Sequence, residues 1–339
     1  MSVFVIAEAG SNWRMGAPKR DLQMAKMLID IAAEAGADAV KFQVFRAGTI
    51  YAAGSGACSH LKEKGVGEPI GKVFEDLEMP AEMIPELAAH CQERGVAFMA
   101  SAFSEETFRL VDPYVALHKI ASPELHDLSL LKLAAGSGKA TLLSTGLSTL
   151  EEIGWAAGHF KENITLLQCT VQYPTDPASA NLLAMQTLAE TFGLPVGLSD
   201  HTRDPIIAPV SAVALGAQVI EKHFTVHNRL VGPDHSWAIT GEELAQMVRA
   251  IRLAEQMRGD GEKAILPVEE PLRRFSRRSL QALCPIPKGT PLQLGANVAI
   301  LRPGTQSQGL APRLASKIEG RRALRDIEAG SGITEQDIA

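Results

Sequence analysis

Eight times within the first 260 residues, a short apolar run gives way to a longer stretch with apolar residues at helical spacing. The runs are VFVIAEA (3–9), DAVKFQV (38–44), VAFMAS (96–101), VALHKIA (115–121), TLLST (141–145), ITLLQCT (164–170), PVGLSD (195–200) and QVIEKHF (218–224). Eight βα units are the count of a (β/α)8 barrel. A doubly wound parallel sheet is the rival, but it usually has fewer units and a glycine-rich phosphate turn after its first strand. The turn here, EAGSNWRMG, fits that fingerprint poorly. Helix signals fall between the runs. Leu22, Ala25, Leu28, Ile29 and Ala32 space a helix over 19–35, and Pro80 stands in the first turn of one over 80–94. Thr149 with Glu152, and Thr240 with Glu243, have capping-box spacing. Asn181 is an expected N-cap for 181–192, and Gly36, Gly95 and the glycines of 136–138 sit where helices should stop.

Composition excludes several classes. The 339 residues are 46% hydrophobic and 21% charged, which suits a globular protein with a sizeable core. A formal charge of -6 offers no basic footprint for nucleic acid. No apolar run reaches the roughly 18 residues of a membrane span. The opening MSVFVIAEAG lacks a charged leader region and reads as a strand. Cys58, Cys91, Cys169 and Cys284 are scattered, so free thiols in a reducing cytoplasm are the expectation.

In a barrel, catalytic groups stand at the C-terminal ends of the strands. Polar residues gather there: Glu8, Lys41, Gln43, Ser101, Lys119, Ser144, Gln168, Thr170, Ser199, His201, Glu221 and His223. Strand alternation puts Ser199 with His201 on one face and Glu221 with His223 on another. Two imidazoles at matching ends of neighbouring parallel strands can hold one divalent metal with positions open for substrate. The plainer alternative is that each histidine caps its strand through backbone hydrogen bonds. Lys41 and Lys119, with Ser101, Ser122, Ser144 and Ser199, would make a nest for a phosphate and a carboxylate. Alternatively, the lysines balance neighbouring carboxylates. Glu8 and Glu124 are the carboxylates to test for proton transfer, against a purely structural role for each. An anion cradle beside a Lewis acid suits joining a phosphorylated enol to an aldehyde. Lys222 does not fit the rim, because alternation points it at the helix layer.

The stretch 46–78 is a long loop of the kind that forms lids. After Gly259 the text turns charged and proline-interrupted, which marks 260–276 as a linker between a barrel over 1–259 and a small all-β domain over 277–339. IPKGTPL and IEAGSGIT in that domain are alike, which points to internal pseudo-symmetry. Its core must be thin, so it should lean on the barrel or on a partner subunit.

Nine phrases, IAEAGSN, AVKFQ, KIAS-x-E, LSTG, QYPT, GLSDHT, EKHFT, GPDH and LRPG, occur in an order that resembles the sialic acid synthase family over nearly the whole chain. The resemblance implies a barrel followed by an antifreeze-like (SAF) β-clip domain. It implies condensation of phosphoenolpyruvate with an open-chain N-acylated amino sugar, typically N-acetylmannosamine, to a nine-carbon 2-keto acid with loss of phosphate. Carried over, His201 and His223 hold Mn²⁺, or Mg²⁺ or Co²⁺ in its place. Lys41, Gln43, Ser101, Lys119, Ser122, Ser144 and Ser199 hold phosphoenolpyruvate. Glu8 stands near the metal, and Glu124 handles protons at the enol carbon and the attacking water. Tyr173 and Asp234 contact the sugar. Arg302 reaches into the barrel of a domain-swapped homodimer partner to bind the N-acyl group. The chain departs from the family's text at Asn12-Trp13, at Val171 and in 46–78. These departures bear on which sugar is used and not on the reaction type. The competing readings are a metal-dependent keto-acid aldolase, a metal hydrolase, or a carbohydrate- or ice-binding protein with an inert barrel.

Overall fold

The computed structural model describes residues 2–52, 54–56 and 68–338. Cys58 lies outside them. The chain divides into two compact units, Met1–Gly259 and Asp260–Ala339.

The first unit is a closed parallel barrel. Its strands are β1 (Phe4–Gly10), β2 (Ala39–Val44), β3 (Ala97–Ala102), β4 (Leu117–Ile120), β5 (Ala140–Ser144), β6 (Ile164–Cys169), β7 (Val196–Asp200) and β8 (Val219–Thr225). Each pairs with the next, and β1 pairs with β8 to close the ring. All eight fall within two residues of their sequence runs, because runs this short and apolar, bounded by Gly, Asp or Pro, leave little room for slippage.

Alternation divides the strands into two faces. Ile6, Ala39, Met99, Leu142, Leu167 and Val219 fill the barrel interior as a separate apolar cluster. Their neighbours Val5, Val40, Phe98, Leu143, Leu166 and Ile220 join the larger cluster under the helices. Gly197 is needed in the inner layer, since a Cβ there would lie 2.4 Å from the Val219 carbonyl oxygen. One step toward the C-terminal rim the inner face turns polar. Register places Glu8 beside both Lys41 and His223, Ser101 beside Lys119, and Ser199 beside Glu221.

The capping boxes form as expected. Thr149 and Thr240 each accept the N–H of the glutamate three residues on, and that glutamate accepts the threonine's own N–H. Gly95 closes helix Met83–Arg94 in the left-handed conformation. Asn181 is not an N-cap. Its φ is +45°, and the helix begins later, at Ala184. The tight turn after Ala180 needs a residue that tolerates positive φ, which asparagine also supplies. The described ends of the 46–78 segment carry short helices, Ala47–Ile50 and Ile70–Asp76. Phe74 fixes them, with its ring centroid 4.9 Å from Phe45 and 5.1 Å from Tyr51.

In the second unit, strand Ser279–Ala282 pairs antiparallel with Val298–Leu301 over a small core that includes Leu280, Ile286, Leu292, Val298, Ile318, Ile327 and Ile333. The two similar phrases meet directly. Ile286 and Ile327 exchange backbone hydrogen bonds of 2.8 and 2.9 Å. The stretch 260–276, read as a linker, carries helix Glu270–Ser276. No helix of the described residues is long and apolar enough to cross a membrane.

Candidate active site

At the C-terminal rim, four buried charged side chains interlock. Lys41 Nζ is 2.6 Å from Glu8 Oε2 and 3.7 Å from Glu221 Oε1, and it donates to Ser101 Oγ at 3.0 Å. Lys119 Nζ lies 3.9 Å from the same Glu221 oxygen and donates to the Ile120 carbonyl at 3.1 Å. Ser199 Oγ donates to Glu221 Oε1 at 3.1 Å, and Gln43 donates to Glu8 Oε1 at 3.2 Å. Burial opposes the Lys41 charge, but Glu221 and Glu8 outweigh it and hold the ammonium above its ordinary pKa. Lys119 is less well compensated, and burial pulls its pKa down. Burial would raise the Glu221 carboxyl, yet Lys119 and Lys41 hold it below its usual range. Both lysines therefore stand ready over one carboxylate oxygen. The structure shows the lysines balancing Glu8 and Glu221.

Ser144 Oγ is buried with no hydrogen-bond partner. Ser122 Oγ accepts the Gly146 N–H at 3.1 Å, and position 146 must be glycine, because a Cβ there would be 2.8 Å from that oxygen and 2.7 Å from Val171 Cγ2. Glu124 sits in the short turn Ser122–His126 that follows β4. Its Oε2 is buried without a partner, and burial pushes its pKa up to about 7.

The two histidine rings meet across the rim, with centroids 5.4 Å apart. His201 Nδ1 lies 2.8 Å from the Thr170 carbonyl oxygen. A carbonyl only accepts, so Nδ1 carries a proton, which leaves Nε2 as the nitrogen a metal would take up. His223 Nδ1 is 3.3 Å from Asp234 Oδ2 but makes no hydrogen bond, which leaves it a buried orphan. A fixed tautomer on one ring and an orphaned nitrogen on the other fit a divalent metal. No third His, Cys, Asp or Glu completes a ligand group among the described residues. Such an ion would keep open positions. Tyr173 covers His201 with centroids 4.4 Å apart, and Trp237 covers His223 at 4.7 Å. Burial raises the Tyr173 phenol, so it stays protonated. Asp234 also closes on Gly10, where a Cβ would lie 3.2 Å from Asp234 Oδ2 and 3.4 Å from Glu8 Oε1.

Of the residues carried over from the family resemblance, one lies outside the barrel unit. Arg302 belongs to the second unit and is exposed after strand Val298–Leu301. Two rim residues are corrected. Gln168 and Thr170 lie on the outer face of β6 and its extension, where they donate to the carbonyls of Ala180 and Ser179. Cys169 is the inward residue, its sulfur 3.9 Å from His201 Nδ1. Trp13 is buried in the cluster under the helices, so that departure from the family text belongs to the core. Trp237 was missed, because a lone tryptophan in a loop after the last strand carries no periodic signal. The misfit of Lys222 resolves outside the barrel, where it pairs with Asp200 at 2.5 Å.

Fold and site together define a (β/α)8-barrel enzyme with an appended SAF domain. Residues 28–263 match the NeuB family and residues 277–339 the SAF domain. The chain belongs to the NeuB family of sialic acid synthases. It is 37% identical to the spore coat polysaccharide biosynthesis protein SpsE of Bacillus subtilis, over 99% of this chain and 93% of that one. It is also 37% identical to an N,N'-diacetyllegionaminic acid synthase of Legionella pneumophila, over 100% and 95%. Among solved structures, the N-acetylneuraminic acid synthetase of Leptospira borgpetersenii, in complex with citrate, superposes with a TM-score of 0.72 at 32% identity, covering 81% of this chain and 91% of that one.

Proposed function

We propose that this protein condenses phosphoenolpyruvate with an N-acylated amino sugar to give a nine-carbon 2-keto sugar acid and phosphate. The observation that carries the reading is the pair of buried lysines converging on one carboxylate oxygen of Glu221 at the rim where the rings of His201 and His223 meet. Lys41 and Lys119, helped by Ser101, Ser122, Ser199, Gln43 and the orphaned Ser144, hold the phosphate and carboxylate. A divalent ion on His201 and His223, Mn²⁺ first and Mg²⁺ or Co²⁺ as substitutes, would polarise the sugar's aldehyde. The enol carbon of phosphoenolpyruvate forms the new bond to the aldehyde carbon. Water then adds at C2, and phosphate leaves with its bridging oxygen. Glu124, with a pKa near 7, is matched to exchange protons with the enol carbon and that water. Glu8 anchors Lys41 beside the histidines, and Tyr173 and Asp234 bound the sugar's end of the pocket.

Arg302 binds the N-acyl group across a domain-swapped homodimer in this reading, and the enzyme works in the cytoplasm. The relatives named N,N'-diacetyllegionaminic acid synthases, at 37% identity, put a diacetamido sugar first among candidate acceptors, ahead of N-acetylmannosamine. The test is phosphate release from phosphoenolpyruvate with a panel of N-acylated amino sugars, with and without Mn²⁺. Release that requires both the sugar and the metal supports the reading. Keto-acid formation without phosphate release would favour an aldolase instead, and no release with any sugar would overturn the proposal.

A further inference from the structure

The paired ladder between β7 and β8 ends at Asp200 opposite Lys222. The next inward residues, His201 and His223, are therefore not tied to each other by that ladder. His201 lies just past the end of β7. Something else must fix the distance between the two rings.

On the helix side of the sheet, Lys222 Nζ reaches Asp200 Oδ2 at 2.5 Å, the Thr202 carbonyl at 2.6 Å and Thr202 Oγ1 at 3.2 Å. Those are three acceptors for the ammonium's three N–H groups. They come from the residues immediately before and after His201, while Lys222 itself immediately precedes His223. Asp200 tightens the loop further, since its Oδ1 accepts the Thr202 N–H at 2.8 Å and its Oδ2 accepts the Thr202 hydroxyl at 3.1 Å. All three side chains are buried. The β6 side holds the same residue by its backbone, with the Thr175 N–H donating to the His201 carbonyl at 2.8 Å.

We propose that Lys222 and Asp200 are positioning residues: their buried bridge on the outer face of the barrel sets the spacing of His201 and His223 on the inner face, and so the affinity for the divalent ion. The inference rests on the two-histidine reading above. Neither residue touches substrate or metal. Outer groups that orient metal-binding histidines typically alter metal affinity by about 10- to 100-fold when removed. Phosphoenolpyruvate, held by lysines anchored to Glu8 and Glu221, should not feel the change.

The experiment measures Mn²⁺ binding directly, by the loss of the free-ion electron paramagnetic resonance signal, and phosphoenolpyruvate binding by calorimetry. Removing one partner alone would leave a buried charge unpaired, whereas replacing both with side chains of similar volume is often nearly neutral for folding. The main variant is therefore the double replacement Asp200→Asn with Lys222→Met. It should keep the wild-type circular dichroism spectrum and its phosphoenolpyruvate Kd, while its Mn²⁺ Kd rises about 10-fold or more. Thr202→Val, which removes only one acceptor and keeps the ion pair, serves as a milder second variant. Its Mn²⁺ Kd should rise by a smaller factor, roughly threefold, below the range for a lost partner. If a folded double variant binds Mn²⁺ like wild type, the bridge is structural only. If the double variant fails to fold, an unchanged Mn²⁺ Kd in Thr202→Val has the same meaning. Failure of the wild-type protein to bind Mn²⁺ would overturn the two-histidine site and this inference together.

Discussion

Glu124 offers a measurement that separates a poised acid from an ordinary structural carboxylate. Burial moves its pKa from the usual 4.5 to about 7. At 1.36 kcal/mol per pH unit, that corresponds to about 3 kcal/mol of disfavoured ionisation. The figure is an upper bound, because the side chain is only partly enclosed. The folded state holds this proton more tightly than the unfolded chain does. Its contribution to stability is therefore full below pH 4.5, is lost as pH rises toward 7, and stays lost above 7. Glu124→Gln keeps the shape and cannot ionise. At pH 8 the barrel of the variant should be more stable than wild type by up to about 3 kcal/mol, and the gap should shrink toward zero as pH approaches 4.5. Urea unfolding followed by far-ultraviolet circular dichroism from pH 5 to pH 8.5 measures the gap. The same variant should lose about 100- to 10,000-fold in kcat and lose the wild-type pH limb near 7. Stability curves that run parallel at pH 5 and pH 8 would refute the burial argument, whatever happened to activity.

Three further outcomes follow from the site. His201→Ala should abolish turnover without unfolding the protein, and chelation of the wild-type protein should abolish turnover until Mn²⁺ is returned; near-normal turnover in the variant would remove the metal from the mechanism. Gly146→Ala should drive a methyl group into Ser122 Oγ, Val171 Cγ2 and the Cys169 carbonyl; thermal melts should show a loss of about 1 to 3 kcal/mol, and steady-state kinetics a raised KM for phosphoenolpyruvate. Arg302→Ala should raise the KM for the sugar about 10-fold or more, the cost of losing a charged hydrogen bond, and leave phosphoenolpyruvate binding unchanged; equal loss for both substrates would confine Arg302 to a structural role.

The strand count and the polar rim were legible because a barrel writes them twice, once as eight short apolar runs and once as alternation within each run. Lys41, Ser101, Lys119, Ser199 and Glu221 could be assigned inward from that alternation alone. It failed at β6, where Gln168 and Thr170 looked like rim residues. Their polarity serves the carbonyls of the following loop, and the apparently inert Cys169 points inward. Asn181 misled for a related reason, since asparagine suits an N-cap and a left-handed turn equally well. Trp237 and the Lys222–Asp200 bridge were beyond reach, because each depends on which loops and strand ends become neighbours once the ring closes.

That closure reaches into how the protein can be made. Glu8 finds its first partner, Lys41, on the next strand, but its other neighbour, His223, sits on the last one. Arg252 reinforces the seam by donating to the Val3 carbonyl at 2.6 Å, across 249 residues of sequence. During synthesis, the C-terminal rim therefore stays an open edge until β8 has emerged, and no fragment that stops short of β8 can hold both histidines in place. Contacts this distant in sequence slow folding. The first strand of the barrel thus completes its pairing among the last, with the exposed edge of β1 waiting for β8. A split into two separately produced pieces should regain the site only when both pieces are present and the β1–β8 seam has formed.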